Sequence, residues 1–139
     1  MNRMRRIAKS VTGQALVEFA LVAPLLLMLV IGVFEFGRAW NVYQVITEAA
    51  RAGARAAVVA DASVTQDSVV ATIRQALSRA GLNQSRANIS LTGWRAGTGT
   101  PAAVTIQFAY QFVFLRPFMG WTSDDAAITL STAFTMRNE

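Results

Sequence analysis

The sequence predicts an α+β fold: a long N-terminal helix with an apolar first half, a second, amphipathic helix, and a C-terminal three-stranded antiparallel sheet. Three observations carry this prediction. From Ala15 to Phe34 the chain is almost wholly apolar, with Glu18 its one charge. Apolar residues then recur at spacings of three and four, first beyond Phe36 and again from Val69 to Ala80. After Gly81 the period changes to two.

The long helix begins at a junction. Upstream, Arg3, Arg5, Arg6 and Lys9 supply four positive charges without an acid among them; then come Gly13-Gln14-Ala15-Leu16-Val17-Glu18-Phe19 and the apolar run. The uncharged stretch from Phe19 to Phe34 would reach about 24 Å, short of the ~30 Å hydrocarbon core of a bilayer. Counting from Ala15 brings it to about 20 residues, enough to span, with Glu18 near the cytoplasmic boundary. The basic stub then stays cytoplasmic and the body lies on the other side. An ordinary secretory signal is the alternative, but the run ends in Val33-Phe34-Glu35-Phe36, with no small-x-small cleavage site just after it. An uncleaved signal anchor remains a further alternative. Pro24 removes one backbone hydrogen bond and predicts a kink or loosened turn that a membrane helix tolerates.

Beyond the span, Phe36, Trp40, Tyr43 and Ile46 continue the helical spacing, with the three aromatics divided between an interfacial belt and the domain core. Glu48 faces Arg51 at i,i+3, as on a solvated face. Ala49, Gly53 and Ala57 form a small-residue stripe that admits close packing, against either this domain's own sheet or another subunit. A continuous helix from Gln14 to about Ala60 would be roughly 70 Å long, and only its second half can be covered by its own domain. Around Asp61 the chain breaks, and Ser63 with Gln66 has the spacing of a capping box for the second helix. Val69, Ile73, Ala76, Leu77 and Ala80 form its apolar face, and Gly81 with Leu82 predicts a Schellman ending. Ile89 and Leu91 then mark a first strand, the segment from Arg95 to Pro101 a turn, Val104 through Phe114 a long second strand, and Ile128 through Met136 a third. One apolar and one polar face make these an antiparallel meander packed on helices.

Composition removes several function classes. The chain has 139 residues, a formal charge of +5 and 53% hydrophobic content, which fits one modest domain plus a membrane segment. Four of the thirteen basic residues lie in the stub, leaving nine against eight acidic ones in the rest. A nearly neutral body has no electrostatic footprint for a phosphate backbone, so nucleic acid is not an expected partner. Cys and His are absent, which excludes disulfides, the usual Cys/His zinc sites, a Cys nucleophile and a Ser-His dyad. No metal or cofactor is predicted: Asp124 and Asp125 beside Trp121 read as a solvated loop, and Gly97 and Gly99 lack the ending of a phosphate loop. Lys9 is the sole lysine, and Glu48, Asp61, Asp67, Asp124 and Asp125 have no spacing that suggests a catalytic pair. The chain is not expected to be an enzyme.

Taken in order, the Gly13–Phe19 junction, the apolar run with Pro24, Glu35-Phe36-Gly37-Arg38, the stretch from Ala49 to Arg55 and the closing segment Ile128–Met136 resemble a TadE-like protein, a minor pilin or pseudopilin of the tight-adherence, Flp-type branch of type IV pili. The resemblance implies a pilin-like fold and cleavage between Gly13 and Gln14 by an inner-membrane prepilin peptidase. It also implies assembly with other pilin or pseudopilin subunits, possession of a periplasmic domain, and a role in pilus assembly or priming and in surface adhesion. Residues 1–13 are then a cytoplasmic leader, 14–36 the transmembrane and assembly half of the helix, and 37–139 a periplasmic α+β domain. Gly13, Gln14 and Glu18 are the processing residues; Glu18, Phe19 and Pro24 are assembly residues; Glu35, Arg38, Ala49, Gly53 and Ala57 are interface candidates. The physical logic agrees. A glycine lets the backbone approach a protease closely, and Glu18, costly in a bilayer, would gain from pairing with a freed N-terminal amine of a neighbouring subunit. Major pilins of this branch are tiny and have Tyr after the Glu, whereas Phe19 and a sizeable body follow here, which favours a minor component. Two plainer readings stand beside these: Glu18 snorkelling to water, and Glu35 sitting at headgroup level beside Arg38. The alternative function is a signal-anchored periplasmic binding domain without filament assembly.

Overall fold

The computed structural model describes residues 2–59, 63–115 and 127–138, with side chains from residue 13 onward. Helix α1 (Asn2–Val58) is followed by α2 (Gln66–Arg79), a 3-10 turn (Gln84–Arg86), and strands β1 (Ala87–Thr92), β2 (Pro101–Gln111) and β3 (Ala127–Arg137). This is the α+β arrangement predicted from the change of period. The break around Asp61 and the loop holding Trp121, Asp124 and Asp125 lie outside the described residues, as do the side chains of Arg3, Arg5, Arg6 and Lys9.

Helix α1 is 57 residues long, about 85 Å at 1.5 Å per residue. It starts well before Gln14, so the stub is helical too, because a single interior glycine costs only about 1 kcal/mol and does not stop a helix. It runs through Pro24 and ends at Val58. From Gly13 to Phe34 nearly every residue is exposed, whereas beyond Glu35 one face is buried through Val42, Ile46, Ala49, Ala50, Ala54 and Ala57. The boundary between the two halves is therefore abrupt. Small residues on the buried face bring α1 close to its neighbours: a methyl group added to Gly53 would lie 2.5 Å from the Ile73 side chain of α2.

Helix α2 buries Val69, Ile73 and Leu77, the face that its spacing predicts. Its cap differs from the predicted Ser63–Gln66 pair. The first helical residue is Gln66, so Thr65 is the extended half-in residue: Ser68 N donates to Thr65 Oγ1 and Thr65 N to Ser68 Oγ. A serine at this position closes the same reciprocal pair that Glu or Gln ordinarily closes. At the other end Gly81 has φ +73°, and Leu82 N donates to Leu77 O at 2.9 Å while Gly81 N donates to Ser78 O at 2.9 Å. These two bonds are the predicted Schellman ending.

The sheet is an antiparallel meander in the order β1-β2-β3, with Ile89 opposite Ile106 and Val104 opposite Phe134. Even-numbered residues of β2 from Ala102 to Tyr110 face the core, packed with the buried faces of α1 and α2. Strand β2 stops at Gln111 rather than continuing to Phe114, because the backbone amides of Val113 and Phe114 turn away from the ladder to a carboxylate on α1. On β3, Thr132 shares the inward face with Leu130, Phe134 and Met136 and is buried; the Thr47 hydroxyl donates to its Oγ1 at 3.3 Å. The β1–β2 connection turns at Gly93, with φ +69°, where an added methyl would lie 2.1 Å from the Pro101 carbonyl oxygen. Asn138 ties this connection to the end of β3 through its amide group, which donates to Gly93 O at 2.9 Å and to Thr100 Oγ1 at 3.0 Å.

Candidate functional site on the long helix

The residues singled out from the sequence fall at two places on α1. The first is the Gly13–Phe19 junction. Gly13 has open space around it, and Gln14, Glu18 and Phe19 are all exposed. One turn of helix separates Gln14 from Glu18, and the Gln14 Nε2 amide donates to Glu18 Oε1 at 3.1 Å. The carboxylate thus carries one neutral donor and leaves its remaining acceptor positions unoccupied by the described residues. Pro24 lies inside α1, two turns further along. The junction is accessible on successive residues, with Leu16, Val17 and Phe19 64%, 60% and 68% exposed, and the exposure continues along the apolar run through Leu21, Leu25 and Leu29. A helix bare over this length and this apolar needs an apolar surrounding, either lipid or other helices. Residues 13–58 form a helix long and apolar enough to cross a membrane, and none of its most apolar window is buried.

The second place is Glu35, the first charge after the apolar run. Its side chain is 1% exposed, so it does not sit free at a headgroup layer beside Arg38. The carboxylate accepts from the Tyr110 hydroxyl at 2.5 Å, Phe114 N at 2.9 Å, Val113 N at 3.2 Å and Arg38 Nη1 at 3.2 Å. A buried carboxylate is tolerable only when its lone pairs are filled in this way. Two acceptors on one turn of helix thereby fix the end of β2 to α1 at a single register. Burial, with the hydrogen bond to Glu35 second, pushes the Tyr110 hydroxyl up to about 12. The Arg38 guanidinium lies over the rings of Tyr110 and Phe114, at 5.8 and 5.9 Å from their centroids.

The other interface candidates are also taken up inside the domain. Ala49 and Ala57 are buried, and Gly53 faces Ile73. The stripe therefore serves the packing of α1 on the domain's own α2 and sheet. Phe36, Trp40 and Tyr43 do the opposite: they are 70%, 55% and 37% exposed and form a continuous ladder of rings, with centroids 6.4 and 6.0 Å apart. None of the three belongs to the core, in contrast to the mixed assignment made from their spacing. Tyr110, Val113 and Phe114 escaped sequence reasoning as partners of Glu35, although a lone acid at the end of an apolar run is the signal that a buried partner must exist.

Among the described residues no cluster of three acidic, His or Cys side chains could hold a metal ion. In comparisons with known proteins, the family model described as TadE-like protein matches residues 13–55, a stretch that contains both the junction and Glu35. No curated protein and no solved structure matches the chain.

Proposed function

We propose that this chain, TadE-like from residue 13 to residue 55, is a minor pilin or pseudopilin of a tight-adherence type IV pilus. It is stored in the bacterial inner membrane, with the leader 1–13 cytoplasmic and the α+β domain from residue 37 periplasmic. A prepilin peptidase cuts between Gly13 and Gln14, and the freed helix enters, or helps to initiate, an adhesive filament. The observation that carries this reading is the bare half of α1, which runs from an open glycine junction to the buried Glu35 with nearly every residue exposed. Such a surface is stable in lipid before assembly and among similar helices after it, and extraction from one to the other exchanges like for like. The partners are then the membrane, the peptidase, and other pilin or pseudopilin subunits with the assembly machinery.

The test is the N-terminus of the protein purified from its host. Mass spectrometry is expected to find a mature chain that begins at Gln14, and Gly13→Pro is expected to leave it uncut. An intact start at Met1, with Gly13→Pro having no effect, would overturn the reading. Exchanging residues 14–34 for an unrelated anchor separates it from a tethered binding domain: loss of filament function is expected, and retention would favour the tether.

A further inference from the structure

At the point where α1 leaves its bare half, two adjoining cavities form one groove. The first, about 550 Å³, runs along α1 past Val33, Phe34 and Gly37 to Arg38. The second, about 360 Å³, lies under the domain and is lined by Arg38 and Arg86 together with apolar Phe108 and Phe112. Arg38, Val42 and Leu82 line both, which makes them continuous. One end is therefore apolar and abuts the end of the apolar run, and the other holds two guanidinium groups. Among the described residues no acid lines either cavity: Glu35 is turned inward and occupied by four donors. Arg38 spends one N–H on Glu35, and Arg86 has no carboxylate partner among the described residues. Among the described residues, two cations against one buried acid leave a single positive charge at the head of the groove. Asn41 and Asn83 add neutral amides to its walls.

We propose that this groove binds one anionic phospholipid, with its phosphodiester between Arg38 and Arg86 and an acyl chain along Val33, Phe34 and Gly37. The proposal rests on the membrane-spanning reading of α1, which puts Phe34 at the edge of the hydrocarbon and the arginines at headgroup depth. A phosphodiester carries one negative charge, which matches the excess at the head of the groove, and guanidinium groups bind phosphate oxygens through paired N–H donors. The apolar floor selects a lipid over free phosphate. A bound lipid would fill the angle between helix and domain, and so fix the domain's stance on the membrane surface.

The test uses the full chain in detergent, titrated with dihexanoyl phosphatidylglycerol or dihexanoyl phosphatidylcholine and read by native mass spectrometry. Wild type is expected to prefer the anionic lipid, and Arg86→Gln to reduce that preference about tenfold, the loss of one charge-assisted contact. Gly37→Leu, which has open space for its side chain, is expected to block the apolar end and weaken both lipids. An unchanged preference in Arg86→Gln overturns the headgroup site, and unchanged binding in Gly37→Leu overturns the acyl path. Competition by inorganic phosphate or glycerol 3-phosphate at equal strength would assign the site to a soluble anion and overturn the lipid. Flotation of wild type and Arg86→Gln with phosphatidylcholine vesicles is a separate readout: both are expected to float, and failure of wild type to float counts against the membrane-spanning reading, whereas the short-chain titration needs no bilayer.

Discussion

The Tyr110 hydroxyl donates to the Glu35 carboxylate at 2.5 Å, across 75 positions of sequence. The bond joins the last inward residue of β2 to the turn of α1 where the bare half ends and the packed half begins. With Val113 and Phe114 donating to the same carboxylate, the sheet is tied to the helix by side-chain and backbone groups at once. Any pull on the bare half of α1 reaches the domain first at this turn.

Removal of either partner should therefore loosen the domain, and removal of both should cost less than the sum. Glu35→Ala leaves the Val113 and Phe114 amides without their acceptor and is expected to destabilise the fold by about 2–4 kcal/mol; Tyr110→Phe, which deletes one bond to a charged group, by about 1.5–3 kcal/mol. Denaturant unfolding of the full chain in detergent, followed by near-ultraviolet circular dichroism, measures all corners of the cycle. Strict additivity would mean that the two groups do not act as a pair.

The same bond sets an alkaline limit. The Tyr110 pKa is raised from 10 to about 12 by burial and by the Glu35 hydrogen bond. The folded state therefore holds the proton more tightly than the unfolded chain. That contribution, roughly 2–3 kcal/mol, is fully present below pH 10 and is lost as the pH rises through about 12. The chain has two tyrosines, so phenolate absorbance of the Tyr43→Phe variant reports Tyr110 alone. Its midpoint is expected near 12 in the folded protein. A midpoint at 10 would show that the hydroxyl is open to water.

Local pattern carried most of the fold. The apolar run, the three-and-four spacing of Val69, Ile73 and Leu77, and the alternation of Val104, Ile106 and Phe108 each depend on neighbours a few residues away, and each forms the element its period predicts. The features that were not legible are those decided at a distance. Alternation continues to Phe114, yet β2 stops at Gln111 because Glu35 takes the amides of Val113 and Phe114. Thr132 breaks the apolar face of β3, and only Thr47 on α1 explains it. The spacing of Ser63 and Gln66 suits a capping box, but the box of α2 closes between Thr65 and Ser68, with a serine rather than a glutamine at the third helical position. Of the candidate site, the accessibility of the junction was readable from composition, whereas the inward turn of Glu35 required a partner that no spacing marks.

Gly53 and Ile73 form a second pair whose coupling is measurable. A methyl group on Gly53 would meet two Ile73 carbons at 2.5 Å, and Ile73 is fully buried, so its side chain has little room to turn. Overpacking of this kind costs about 1–3 kcal/mol, partly offset by the better helix propensity of alanine, about 1 kcal/mol. Gly53→Ala is expected to be destabilising on balance. Ile73→Ala alone should cost about 2–5 kcal/mol, and the added methyl should be tolerated in the double variant, where it enters the space that Ile73 vacates. Thermal unfolding of the three variants checks this, and a methyl equally harmful in both backgrounds would contradict the contact.

Glu18 is the one carboxylate inside the apolar run of α1, and its situation differs from that of Glu35. Glu35 is filled by four donors, whereas Glu18 is exposed and accepts from Gln14 alone among the described residues. In lipid such a group is strained toward water or toward a cation, and a new amine at Gln14, released by cleavage after Gly13, is the cation that the proposed pathway supplies. Glu18→Leu removes the demand for it without touching Gly13. The variant is expected to insert and be cut like wild type, because an apolar residue lowers the cost of the span, yet to be lost from sheared filaments by tenfold or more, on the order of one charge-assisted contact. Glu18→Gln, which keeps an acceptor but not the charge, should fall between the two. The readouts are the mature N-terminus by mass spectrometry and the amount of this chain in the sheared fraction. Normal incorporation of Glu18→Leu would reduce Glu18 to a residue that snorkels to water, and failure of cleavage would move its role from assembly to recognition by the peptidase.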